Sequence, residues 1–282
     1  MSIELRPVRP ADRQAMLEIT AQVWDGHDYL PSVFDAWVAD LGATFQAAEV
    51  EGEVAGFQRL RPLSAEVIYY EGLRVGTRFR RQGLARRMLT EAVAQARGMG
   101  FKTMRLASAN PDAVRLFISA GFELELGTQI GFAAAMEGDE PPSLGRPEDA
   151  ERLLSVVSVD PAFAAYKGLV VDGETVRELD GVELARQAGL GQVRTGAGGR
   201  VVAIVRPWAG DATLWMGFLA GSGAALRDLL LALRSEADLM GRTRVGVFLP
   251  DGHPSRGELE ETGYDFEAEP DRMGYYSLRL QN

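Results

Sequence analysis

The chain repeats itself. Arg9-Pro-Ala-Asp12 is echoed by Arg146-Pro-Glu-Asp149, and residues 98–108 (GMGFKTMRLAS) are echoed by residues 238–250 (DLMGRTRVGVFLP), each a glycine-ended helix feeding a strand. Phe117-Ile-Ser-Ala-Gly-Phe-Glu123 returns as Leu259-Glu-Glu-Thr-Gly-Tyr-Asp265. Gly100 and Gly241 stand 141 positions apart, and Gly121 and Gly263 stand 142 apart. One helix–Gly–strand echo is ordinary punctuation, but three at a nearly constant offset indicate a duplicated unit. Each copy must then bury its own core within about half of the 282 residues. Residues 138–146 (GDEPPSLGR) cluster Pro, Gly and acidic residues without apolar periodicity and read as the linker, which gives domains at 1–137 and 147–282.

Within the first copy, residues 3–8 read as a strand, 11–23 and 31–41 as helices, and 44–50, 54–60 and 66–75 as strands. The strongest helix runs over 84–97, where Leu84, Met88, Leu89, Ala92, Val93 and Ala96 fall on one face at 3.6-residue spacing. A strand at 103–107, a helix opened by Asn110-Pro111 and stopped at Gly121, and closing strands follow. Helices alternating with strands predict an α/β fold, a mixed sheet flanked by helices.

Composition narrows the function. There is no cysteine, which excludes a disulfide framework, a thiolate nucleophile and a Cys-ligated metal, and suits a reducing compartment such as the cytoplasm. Two histidines are too few for a His-rich metal site, so no metal is expected. No apolar run is long enough to span a bilayer. A formal charge of −10 argues against a nucleic-acid partner. Against that acidic background, residues 74–87 (RVGTRFRRQGLARR) carry six arginines, and such an island asks for a local anion.

That island joins a strand to the start of the strongest helix, where unpartnered N–H groups and the positive end of the macrodipole favour phosphate. It lacks the Gly-Lys-Ser/Thr of a Walker loop and the Gly-x-Gly-x-x-Gly of a dinucleotide fold. Arg80-Arg81-Gln82-Gly83-Leu84-Ala85 instead resembles the Arg/Gln-x-x-Gly-x-Gly/Ala signature of the GCN5-related N-acetyltransferases. Val75, Phe79, Asn110-x-x-Ala113 and Gly121-Phe122 fall at that family's spacing, so the resemblance covers most of residues 1–137.

The resemblance implies two tandem domains of this fold, each a mixed, largely antiparallel twisted sheet flanked by helices, with acetyl-CoA as co-substrate. Backbone N–H groups from Arg81, Gln82, Gly83, Leu84 and Ala85, with charge from Arg80, would hold the pyrophosphate. The main chain of Leu73 and Val75 would pair with the pantetheine arm, and Asn110 would touch it from the far side. Glu71 matches the family's catalytic base four residues before that valine. Side chains alternate along a strand, so Glu71 is expected to share a face with Leu73 and Val75. Its structural alternatives are an ion pair with an arginine such as Arg59, or a side chain that simply points outward. The family's usual acid, a tyrosine seven residues after the asparagine, is Phe117 here. The leaving thiolate must then go unaided, or take a proton from water, Tyr69 or Tyr70.

For the acceptor, residues 23–31 (VWDGHDYLP) crowd two aromatics, a histidine and two aspartates between the first two helices. Asp25 and Asp28 would receive a cation flanked by Trp24 and Tyr29. Gly26-His27-Asp28-Tyr29-Leu30-Pro31 is similar to the corresponding loop of vertebrate histidine N-acetyltransferases, which implies a small-molecule amine, such as a free amino acid, as partner. A capped helix pair is the plain structural alternative. A protein or peptide amine, or a non-catalytic acyl-CoA-binding regulatory role, are the functional ones. In the second copy, Leu219-Ala-Gly-Ser-Gly-Ala-Ala-Leu226 keeps the small residues without the arginines, and Gly252 stands where Asn110 would. It reads as a degenerate domain that does not bind CoA, although its glycines leave a second anion site open.

Overall fold

The computed structural model describes residues 3–280 apart from 139, 174, 209–210 and 267–271, together with the side chains of all of these but Trp24 and Asp25. The chain forms two compact units, Met1–Glu123 with Tyr276–Asn282, and Leu124–Tyr275. The expected linker, 138–146, lies inside the second unit.

The first unit runs β1 (Ile3–Pro7), α1 (Arg13–Thr20), α2 (Leu30–Ala39), β2 (Thr44–Val50), β3 (Glu53–Pro62), β4 (Val67–Val75), α3 (Leu84–Gly98), β5 (Thr103–Ser108) and α4 (Pro111–Ser119). Its strands lie in the order β1-β2-β3-β4-β5. All neighbours are antiparallel except β4 and β5, which are parallel. One apolar cluster joins Met16, Leu30 and Phe34 of α1 and α2 to Phe45, Ala47 and Phe57. Others join Leu84, Met88, Leu89 and Ala92 of α3, with Phe117 of α4, to the strands. The predicted 3.6-residue face of α3 is the buried one, with Leu84, Met88, Leu89, Ala92, Val93 and Ala96 all inside. Tyr276 and Leu280, from the end of the chain, complete the core beside Leu106 and Phe122.

The second unit runs β6 (Glu123–Ala134), β7 (Ser143–Leu144), α5 (Ala150–Val157), α6 (Pro161–Ala165), β8 (Leu169–Asp172), β9 (Thr175–Glu178), α7 (Gly181–Gly189), β10 (Val193–Gly196), β11 (Val201–Pro207), β12 (Thr213–Ala220), α8 (Gly223–Leu239), β13 (Arg244–Pro250) and α9 (Arg256–Glu261), and β14 (Arg272–Arg279) begins in it and passes into the first unit at Tyr276. Its sheet order is β6-β13-β12-β11-β10-β7, again with one parallel pair, β12 and β13. β8 and β9 form a separate hairpin. Ser143–Leu144 pairs with β10, so the stretch expected to be a linker contributes an edge strand. Among the described residues no helix is long and apolar enough to cross a membrane.

Candidate active site

β4 parts company with β5. Their parallel ladder runs from Val67↔Thr103 to Tyr69↔Arg105, yet β4 continues to Val75 and β5 to Ser108. Beyond Tyr69, β4 keeps its ladder with β3 on one side only. A strand edge left this way offers main-chain donors and acceptors to an extended ligand.

A bulge then redirects the side chains. Glu71 pairs with Arg59 and Arg74 with Phe57, so three steps on β4 face two on β3. Gly72 takes up the extra residue with φ +68°, and a Cβ there would lie 2.8 Å from the Trp37 ring. One inserted residue reverses the alternation that follows. Leu73 and Val75 therefore pack with Leu84 and Met88 of α3, while Glu71 turns to the opposite face, towards α2. This corrects the expectation that Glu71, Leu73 and Val75 share a side.

The loop into α3 is shaped for an anion. Gly83 caps the helix in the left-handed region at φ +79°, and nothing lies within 4 Å of the position its Cβ would take. Arg81 is also left-handed, at φ +60°, a conformation that costs a non-glycine residue about 1–2 kcal/mol. Strain of this kind collects at ligand clamps. The first helical bond runs from Arg87 N–H to the Gly83 carbonyl at 3.1 Å, and the N–H groups before it are those a helix start leaves over. Arg80 Nε donates to the Val75 carbonyl at 3.1 Å and Gln82 Nε2 to the Arg78 carbonyl at 2.7 Å. Both side chains thus brace the loop that the strand end and helix start enclose. The Leu84 side chain is buried and Ala85 is half-buried, which leaves their main chains as the parts available to a ligand. Asn110 caps α4, its Oδ1 accepting from Asp112 N–H at 2.9 Å and Ala113 N–H at 3.3 Å.

On the other face Glu71 sits between two arginines. Its Oε1 accepts from Arg59 and, at 3.0 Å, from Arg61 Nε; its Oε2 has only a 3.5 Å contact with Arg61 Nη2. Arg59 also donates to Asp40, and its guanidinium lies 4.5 Å from the centre of the Trp37 ring. Arg61 lies over the Tyr69 ring at 5.2 Å. The ion pair weighed as the alternative for Glu71 exists, and it leaves Oε2 as the oxygen with capacity for a proton donor. Arg61 and Asp40 were not singled out in the sequence. The available signal was the hairpin register, which sets Arg59 and Arg61 directly opposite Glu71 and Tyr69.

Asp28, in the loop between α1 and α2, is spent internally. Its two oxygens accept from Arg74 Nε at 2.6 Å and Nη2 at 2.9 Å, and Oδ1 also caps Leu30 N–H at 3.0 Å. Its side chain is 1% exposed. Tyr29 stacks edge-on to Trp37 at 6.0 Å with Arg74 above it at 5.3 Å. These contacts tie the loop to β4 just past the bulge. The Trp24 and Asp25 side chains lie outside the described residues.

Phe117 is buried between Tyr70, at 6.3 Å, and Phe122, at 5.8 Å. Tyr70 donates to Gln58 Oε1 at 3.1 Å, and burial pushes its phenol far above the usual tyrosine range. A phenol held that high is a poor proton donor.

The second unit has the same split, with the ladder between β12 and β13 ending at Met216↔Val247. There the chain fills it. His253 Nε2 donates to the Leu219 carbonyl at 3.2 Å and Ser255 Oγ to the Gly221 carbonyl at 3.0 Å. Tyr166, fully buried, donates to the Phe248 carbonyl at 2.9 Å and packs its ring 5.3 Å from His253. At the start of α8, Glu258 Oε1 accepts the Gly223 N–H at 3.0 Å.

The first unit's residues fit acetyl-CoA on two of its own features: an unpaired edge on β4 and a left-handed, uncrowded anion loop at Gly83. Among the described residues, no group of three or more His, Asp or Glu is placed to hold a metal.

Residues 13–122 match the model of the acetyltransferase (GNAT) family. The whole chain overlays a candidate acetyltransferase of Thermoplasma acidophilum at TM-score 0.62 and 13% identity, covering 99% of this chain and 100% of that one. It overlays a GCN5-related N-acetyltransferase of Sphaerobacter thermophilus at 0.57 and 16%, covering 99% and 96%. A tandem GNAT protein from the clavulanic acid biosynthesis pathway overlays at 0.58 and 16%, covering 100% and 99%. No curated protein matches the chain. At these identities the overlays establish a shared tandem fold, and the family match falls on the span that carries the split strand, the bulge and the glycine-capped helix. Residues 13–122, within the first unit, thus carry the match to the GNAT acetyltransferase family, in a chain that has the tandem fold of these structures.

Proposed function

We propose that the first unit transfers an acetyl group from acetyl-CoA to the primary amine of a small molecule. The observation that carries this reading is the bulge at Gly72. It lets one strand present Leu73 and Val75 towards the anion loop and Glu71 towards the loop between α1 and α2. Acetyl-CoA supplies an activated thioester. Main-chain groups of Leu73 and Val75 and the N–H groups from Arg81 to Ala85 would hold it, with Asn110 at the end of α4.

Glu71 Oε2 takes a proton from the ammonium of the acceptor. The freed nitrogen lone pair attacks the thioester carbonyl, the C–N bond forms and the C–S bond breaks. The second proton, which the nitrogen sheds as the amide forms, passes through water to the departing thiolate, since Phe117 has no proton to give and Tyr70 holds its own. The second unit, its strand split filled by its own side chains, acts as a scaffold without a cofactor.

Release of free thiol from acetyl-CoA across a panel of amines tests the reading. Glu71→Gln is expected to lower kcat at neutral pH by about 10²–10⁴-fold, the usual worth of a general base. Full activity of that variant would remove Glu71 from the mechanism. Binding of acetyl-CoA without turnover of any amine would leave a sensor, not an enzyme.

A further inference from the structure

Resting on that reading, we infer that the acceptor carries a carboxylate close to its amine, as an amino acid does, and that Arg61 receives it. The charge around Glu71 points there. Two guanidiniums, Arg59 and Arg61, flank this single carboxylate on the face where an acceptor must approach. The other acid in the cluster, Asp40, is bound to the opposite amino group of Arg59.

The two arginines differ in a way that assigns them separate work. Arg59 has only 5% of its side chain exposed, is pinned on Glu71 and Asp40, and lies against Trp37. It is a positioning residue for Glu71. Arg61 has a third of its side chain open (33%) and rests on Tyr69. Its Nη2 lies 3.5 Å from the less engaged oxygen of Glu71. A guanidinium suits a carboxylate because its N–H groups form a rigid fork that matches the two oxygens.

An ammonium alone, drawn to Glu71 Oε2, comes into range of both arginines and is repelled by them. A molecule bearing ammonium and carboxylate on neighbouring carbons meets each charge with its opposite: the ammonium on Glu71, the carboxylate on Arg61. Specificity against plain amines then has an explicit repulsive element as well as an attractive one.

Matched acceptor pairs test this, each an amino acid and its decarboxylated amine: histidine with histamine, lysine with cadaverine, tryptophan with tryptamine. Thiol release should favour the acid member of at least one pair by tenfold or more in kcat/KM. Arg61→Gln should raise KM for that acid at least tenfold with kcat within about threefold, and should erase the preference over the amine. Arg61→Lys, which keeps the charge, should recover part of the KM. A merely structural role for Arg61 predicts equal losses for both members of a pair, and that result overturns the inference. Equal turnover of acid and amine by the unaltered enzyme also overturns it, while leaving the acetyltransferase reading intact. Turnover of no amine overturns the acetyltransferase reading and the inference with it.

Discussion

Glu258 of α9 accepts the backbone N–H of Gly223 at 3.0 Å, so the start of α8 carries an anion that the chain itself supplies. The corresponding start of α3 has Gly83, with open space where a Cβ would be and two arginines before it. The duplicated fold has thus satisfied one copy of its cleft internally. We expect the chain to bind one acetyl-CoA. Titration calorimetry should return a stoichiometry near one, and two comparable sites would show that the second cleft opens.

Gly83→Val should weaken acetyl-CoA binding by tenfold or more. A β-branched residue resists the left-handed backbone that Gly83 adopts, by about 1–2 kcal/mol or more, and relaxing it would move the N–H groups proposed to hold the pyrophosphate. Because nothing crowds the site, the folded state itself should survive. Calorimetry with a thermal melt separates the two effects, and an unchanged Kd would place the pyrophosphate elsewhere.

Tyr70→Phe should cost stability more than rate. The phenol donates to Gln58 Oε1 in the core, and its loss leaves a buried acceptor short of a partner, worth about 1–3 kcal/mol. Since burial holds its proton too tightly for acid work, kcat should stay within about threefold. A hundredfold fall in kcat with the melting point unchanged would make Tyr70 the missing acid.

Stability should decline on acidification from about pH 7.5 to 5.5, and His253 should account for part of it. Ser255 N–H donates to its Nδ1, so that nitrogen is unprotonated in the fold. Burial lowers its pKa below the ordinary histidine value, against the opposing pull of the Leu219 carbonyl and the carboxylates of Asp160 and Glu258. The unfolded chain then binds the extra proton more readily than the folded one. Stability is therefore full above the ordinary pKa of about 6.5 and is lost as pH falls below it. Urea midpoints across this range should slope less steeply for His253→Gln, and an identical slope would remove His253 as a cause.

Local signals were legible in the sequence, and pairings across the chain were not. The buried face of α3, the glycine at its start, the Asn110 cap and the repeat all follow from residues a few positions apart. The bulge is different: a glycine inside a strand is compatible with plain alternation, and only the step count against β3 reveals that Gly72 turns Leu73 over. The Arg59–Glu71–Arg61 cluster depends on that same register. The Asp28–Arg74 pair joins residues whose partnership nothing local announces, so a carboxylate expected to meet a substrate is used to hold its own loop. The filling of the second cleft escaped for the same reason, because His253, Ser255 and Tyr166 meet strand carbonyls far from them in the chain.

The bulge in β4 also has a mechanical meaning. Glu71 and Leu73 are separated by one residue on one strand, yet they address opposite faces of the sheet. On the proposed reading, any sliding or flexing of that strand would carry the base and the cofactor contact along together. Alignment of the two reactants would then depend on three consecutive residues, Glu71, Gly72 and Leu73.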